Sequence, residues 1–127
     1  MNKKEQVLLY GFENNERTEK IKKIFNKLSI KYTFLKEDSI VEKIGYLLGN
    51  KGFAKTKSEG EFFQFPHEVM LFSSIMGKRL DDVLLALKNE EIKIPYKAVV
   101  TPFNKLWTLE RLVKTMEKEH GAMIGKE

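Results

Sequence analysis

Val7-Leu8-Leu9-Tyr10-Gly11-Phe12 decides the fold class. It is a short, continuous apolar run, which is how a strand covered on both faces reads. Immediately after it, Ile21, Ile24, Phe25 and Leu28 recur at i, i+3, i+4 and i+7, so they share one face of a helix. Ile30–Leu35, rich in β-branched and aromatic residues, reads as a second strand. Further on the pattern restarts. Val69-Met70-Leu71-Phe72 reads as a strand, Leu80, Val83, Leu84 and Leu87 as an amphipathic helix, and Pro95–Val100 as another strand. Thr108 is placed to cap a last helix bearing Leu109, Leu112, Val113 and Met116, which Gly121 ends.

The expectation is therefore an α/β fold, a mixed sheet with two similar β-α-β-α halves and helices packed on it. The sheet is either related to the ferredoxin-like arrangement or a small open α/β sandwich. Each right-handed β-α-β crossover makes its own two strands parallel. Residues 1–127 form a single domain, with a first half over 1–48, a flexible connector over 49–66 and a second half over 67–121. In the first half, Ser39-Ile40-Val41-Glu42 fits a capping box opening a helix through Val41, Ile44, Leu47 and Leu48, with Gly49 as its stop. Gly49–Gly60 has the composition of an exposed, mobile loop, and Glu61–Phe65 reads as an edge strand ended by Pro66. An offset of 62 residues lays Val7–Tyr10 on Val69–Phe72, Ile21 on Val83 and Phe25 on Leu87. That alignment is the basis for expecting an internal repeat.

Composition narrows the function classes. With 127 residues, 42% hydrophobic and 32% charged, the chain can build one core and solvate it. The absence of cysteine excludes disulfides, thiolate metal sites and a cysteine nucleophile. Val7–Phe12 is too short for a signal h-region, and no run approaches a membrane span, so the expected location is cytoplasmic, with no membrane partner. The net charge is +5, with 13 Lys/Arg against 9 Asp/Glu in residues 1–64. Lys20, Lys23 and Lys27, together with Lys51 and Lys55, offer a basic surface for a phosphate backbone, the nucleic-acid alternative. Glu16 and Glu19 are spaced to pair with Lys20 and Lys23, which makes a merely solvated helix face the competing reading.

The most distinctive stretch is Ile94-Pro95-Tyr96-Lys97-Ala98-Val99-Val100-Thr101-Pro102-Phe103-Asn104-Lys105-Leu106-Trp107-Thr108-Leu109. It resembles the signature of a bacterial domain-of-unknown-function family, family 3783, over about Glu68 to His120. The first half has no Pro-x-Lys-Ala, no Thr-Pro and no tryptophan, so a function tied to this loop exists once per chain. The resemblance implies no activity, substrate or catalytic residues to carry over.

The same loop is the candidate site. Thr101, Asn104, Lys105, Trp107 and Thr108 lie between the carboxyl end of a strand and the amino end of a helix, where α/β proteins bind ligands and anions. Each residue also has a structural role open to it. Thr101 and Asn104 can shape the turn, Thr108 can cap the helix, and Trp107, expected to be buried, can staple the loop to the core. Ala54-Lys55-Thr56 lacks the glycines and the strand–helix context of a phosphate loop. His67 and His120 have no ligand-spaced partner. Asp81-Asp82 suits a helix N-terminus rather than catalysis. The sequence thus nominates no catalytic residue, metal site or cofactor. Its leading reading is a non-enzymatic module binding a protein or a small anionic ligand through Thr101–Thr108, with nucleic-acid binding second and an enzyme third.

Overall fold

In the computed structural model, which describes residues 4–57 and 60–119, the expected alternation holds. Strands β1 (Gln6–Tyr10), β2 (Lys31–Leu35), β3 (Val69–Ser73) and β4 (Tyr96–Val99) form one sheet in the order β2-β1-β3-β4. β1 and β2 are parallel, β3 and β4 are parallel, and the halves meet where β1 runs antiparallel to β3. Each β-α-β unit keeps its own strands adjacent, so the sheet is the open sandwich rather than the split, interleaved ferredoxin-like arrangement.

Helices α1 (Glu16–Lys27) and α3 (Lys78–Asn89) cover one face, burying Ile21, Phe25, Val83 and Leu87 against Val7, Leu9, Met70 and Phe72. The opposite face carries the short α2 (Ile44–Leu47), α4 (Leu109–Glu119) and the extended stretch through Phe62, Phe63 and Phe65. They bury Leu8, Tyr10, Val69 and Leu71. A continuous apolar run is what a strand needs when alternate side chains enter two cores.

The antiparallel register gives β1 and β3 a local twofold axis normal to the sheet, passing between Leu8 and Leu71, which pair directly. Structural equivalence runs at an offset of 63 through the first strand, Gln6–Tyr10 matching Val69–Ser73, and Gly11 (φ 82°) matching Ser74 (φ 60°). It drops to 62 through the helix, Glu16–Lys27 matching Lys78–Asn89. The helix exits match too, with Ser29 and Glu91 in the left-handed region and Ile30 and Ile92 donating back to Phe25 and Leu87, each at 2.9 Å. From β2 onward it is 65, because Lys93-Ile94-Pro95 is inserted. The strand alignment read from the sequence is thus corrected by one residue. An offset of 62 would set Val7, which faces α1 and α3, on Val69, which faces the opposite core.

The arginine–glutamate pairs match at these offsets, whereas the carbonyls that complete them, Lys93 and Leu28, are not equivalent positions. Arg17 donates to Glu68 at 2.6 Å and to the Lys93 carbonyl, while its counterpart Arg79 grips Glu5 at 2.7 and 2.9 Å and the Leu28 carbonyl. On the other face Ile44 N–H donates to the Trp107 carbonyl and Leu109 N–H to the Glu42 carbonyl, both at 2.9 Å, bridging Lys43 and Thr108.

Other local expectations change. The helix expected from Ser39 breaks into a 3-10 turn, Glu37–Val41, an extended Glu42-Lys43 pair and α2. Glu42 does not close a capping box. Its carboxylate accepts from Thr56 N–H at 2.8 Å and Lys55 Nζ at 3.1 Å instead, and its carbonyl is drawn into the bridge to α4. Gly49 (φ 80°) does end α2, through Asn50 N–H to the Gly45 carbonyl. Glu61–Phe65 forms no strand. Its aromatic rings pack onto the second core, where Phe65 meets Tyr96 at 5.2 Å. The ion pair formed between two residues of α1 is Lys22 with Glu19, at i, i+3. The proposed stop at Gly121 lies outside the described residues. No helix among the described residues is long and apolar enough to cross a membrane.

Candidate functional site

The Thr101–Thr108 loop is braced from within. Beyond β4, Val100 N–H still donates to the Phe72 carbonyl at 2.8 Å. Thr101 Oγ1 accepts from Phe103 N–H at 3.2 Å and from Asn104 N–H at 3.0 Å. Asn104 closes the turn, its Oδ1 accepting from Thr101 N–H at 2.8 Å and its Nδ2 donating to the Val99 carbonyl at 3.1 Å. These are turn interactions that short polar side chains make with nearby backbone. Thr108 Oγ1 accepts from Arg111 N–H at 3.1 Å, the expected N-cap. Since Leu109 and Leu112 N–H also have acceptors, in the Glu42 and Thr108 carbonyls, most of the helix terminus is already satisfied internally.

Thr101, Asn104 and Thr108 therefore spend side-chain groups on the backbone of their own loop and helix. Trp107 is half-buried, packed against the second core, with the Arg111 guanidinium 4.1 Å from its ring centroid. Lys105 behaves differently. Beside Thr101 and Pro102 it lines a cleft of about 660 Å³ whose other walls include Lys4, Gln6, Ser73 and Asn50. The expected site residues accordingly separate: Thr101 and Lys105 border the cleft, Asn104 and Trp107 brace the loop behind it, and Thr108 borders a different, shallow depression along α4.

Bracing the backbone leaves apolar side chains standing in water. Phe103 is 79% exposed and Leu106 58% exposed on the loop, while Val99 on β4 and Met76 beyond β3 are exposed beside it. A phenylalanine between Pro102 and Asn104, in an otherwise turn-forming segment, was the sequence signal for this surface. The nomination of polar neighbours passed over it.

The lysines do not assemble. Lys20, Lys23 and Lys27 are exposed on α1, over one face of the sheet. Lys55 belongs to the other layer, tied to buried Glu42, and Lys51 is exposed in the same connector. Glu42, whose spacing from Ser39 pointed only to a capping box, is a buried carboxylate of this layer. Burial pushes its pKa up, but the Thr56 N–H and the Lys55 ammonium outweigh that and hold it below the usual glutamate range. The Arg79 guanidinium lowers the Glu5 pKa in the same direction. Among the described residues no three His, Cys, Asp or Glu side chains converge as metal ligands. His67 packs its ring on Phe65 and Tyr96, and His120 lies outside the described residues.

Fold and surface together define a small α/β sandwich of two β-α-β-α halves, with one braced, apolar-tipped loop carried by the second half only. Residues 68–123 match the family model described as Domain of unknown function (DUF3783), so the resemblance covers the second half of the chain. No curated protein and no solved structure matches the chain.

Proposed function

We propose that the protein is a non-enzymatic, cytoplasmic binding module that engages a protein partner through the Thr101–Thr108 loop. The observation that carries this reading is Phe103, 79% exposed on a loop whose backbone is held by Thr101 and Asn104. An apolar side chain raised on a rigid turn loses little conformational freedom on binding, which is how an anchor residue gains affinity. Lys105 and the adjoining cleft supply the polar rim. Nucleic-acid binding is less well supported, because its lysines lie on opposite layers of the sandwich.

The test compares the partners captured by the full chain with those captured by Phe103→Ser/Leu106→Ser. The double variant should lose a partner the parent retains, while melting at nearly the same temperature. Capture should persist when salt is raised from about 50 to about 200 mM, a range over which phosphate-backbone binding falls steeply. An unchanged set of partners would refute the reading.

We infer also that the halves derive from one duplicated β-α-β-α unit. The reciprocal Arg17–Glu68 and Arg79–Glu5 pairs support this more than the apolar pattern does, since two β-α-β units need not share such charges. A profile of relatives of residues 4–57 should align to the second half at the offsets 63, 62 and 65. Alignment at other offsets would count against duplication.

A further inference from the structure

The internal twofold exposes one place where the halves differ in substance. In the first half the space between α1 and β2 is filled by rings packed edge-to-face or tilted against one another. Phe25 meets Tyr32 at 6.1 Å, Tyr32 meets Phe34 at 5.8 Å, and Phe12 meets Phe34 at 6.3 Å. At the equivalent positions the second half has Leu87, Lys97, Val99 and Ile75, none of them aromatic. The inserted Lys93-Ile94-Pro95 has no counterpart and contributes all three residues to the wall. What results is an open groove of about 1040 Å³ between α3 and β4, its apolar lining supplied by Leu84, Leu87, Ile92, Ile94 and Pro95.

Its polar groups have one prevailing sign. Lys88, Lys93 and Lys97 line the groove against a single carboxylate, Glu91. Although Lys97 as a residue is exposed, its ammonium is tucked against the Ile94 carbonyl at 3.1 Å, and desolvation there lowers its pKa. It makes no ion pair among the described residues. A cation partly removed from water, beside an apolar slot, gains from a carboxylate that completes its coordination.

We propose that the groove between α3 and β4 binds an aromatic carboxylate. Its ring lies on Leu84, Leu87 and Ile94, in the space the first half fills with its own rings, and its carboxylate meets the Lys97 ammonium. The site shares no residue with the Phe103 surface, so the two readings stand or fall separately.

The probe is 2-naphthoate added to the full chain, followed by calorimetry and by backbone amide shifts. One-to-one binding is expected with a Kd at or below about 1 mM, the range open to a ligand of this size. Shifts should fall in residues 84–97 and spare residues 103–106. The neutral 2-naphthamide should bind about tenfold more weakly, and Lys97→Met should erase that preference. Leu87→Phe/Lys97→Tyr, which installs the first half's residues, should abolish binding. Should that variant fail to fold, Leu84→Phe, at the rim, blocks the same slot. Absence of saturation, shifts confined to other surfaces, an undiminished carboxylate preference in Lys97→Met, or a concentration-dependent dimer masking the groove would each overturn the proposal.

Discussion

Replacing Glu42 with alanine should release the connector from the sandwich. The carboxylate is almost fully buried and accepts a charge-assisted bond from Thr56 N–H at 2.8 Å, with the Lys55 ammonium at 3.1 Å completing it. Its lowered pKa shows that these donors outweigh its burial. Losing the bond to a half-buried backbone N–H costs about 1.5–3 kcal/mol. A 127-residue chain loses about 0.27 kcal/mol of stability per degree near its midpoint, so Tm should fall by about 6–11 °C. Glu42→Gln should fall by much less, because the amide oxygen still accepts from Thr56 and only the pair with largely exposed Lys55 is lost. Trypsin should then cleave after Lys55 and Lys57 about tenfold or more faster in Glu42→Ala than in the parent. Equal melting temperatures for the two variants, with unchanged cleavage, would refute the claim that this carboxylate docks the connector.

The folded-state pKa values of Glu42 and Glu5 are both depressed, so their stabilisation is complete above the usual glutamate range and is lost as pH falls through their lowered values. Tm should be level at neutral pH and fall on acidification, less steeply in Glu42→Ala than in the parent. Asn104→Ala removes two of the turn's four side-chain bonds and should cost about 1–3 kcal/mol, with faster amide exchange at Thr101. Trp107, the sole tryptophan, should emit between the buried and exposed limits. Arg111→Ala should raise its quenching by acrylamide, whereas an emission unmoved by that change would mean that the guanidinium does not shield the ring.

Local pattern and chain chemistry determined the alternation of strands and helices, the buried faces of α1, α3 and α4, the Thr108 cap and the Gly49 stop. Those features depend on neighbours within one or two turns, and periodicity records them. The strand register did not belong to that set. Val7–Tyr10 is apolar at every position, so the run carries no parity, and only the pairing of Leu8 with Leu71 shows which residues enter which core. Glu42 was misread for a related reason. Ser39 and Glu42 have capping-box spacing, but Thr56, Lys55 and Leu109, distant in sequence, offer the glutamate and its carbonyl better partners. In the candidate loop the polar residues were legible as turn formers or as ligand donors, and hydrogen bonds not visible in spacing assigned Thr101 and Asn104 to the turn. Strand order, the reciprocal Arg17 and Arg79 pairs and the ring-free groove beside Lys97 all arise where the two halves face each other or depart from their symmetry. Tertiary structure alone decided them, because each depends on contacts between segments that local propensity treats as independent.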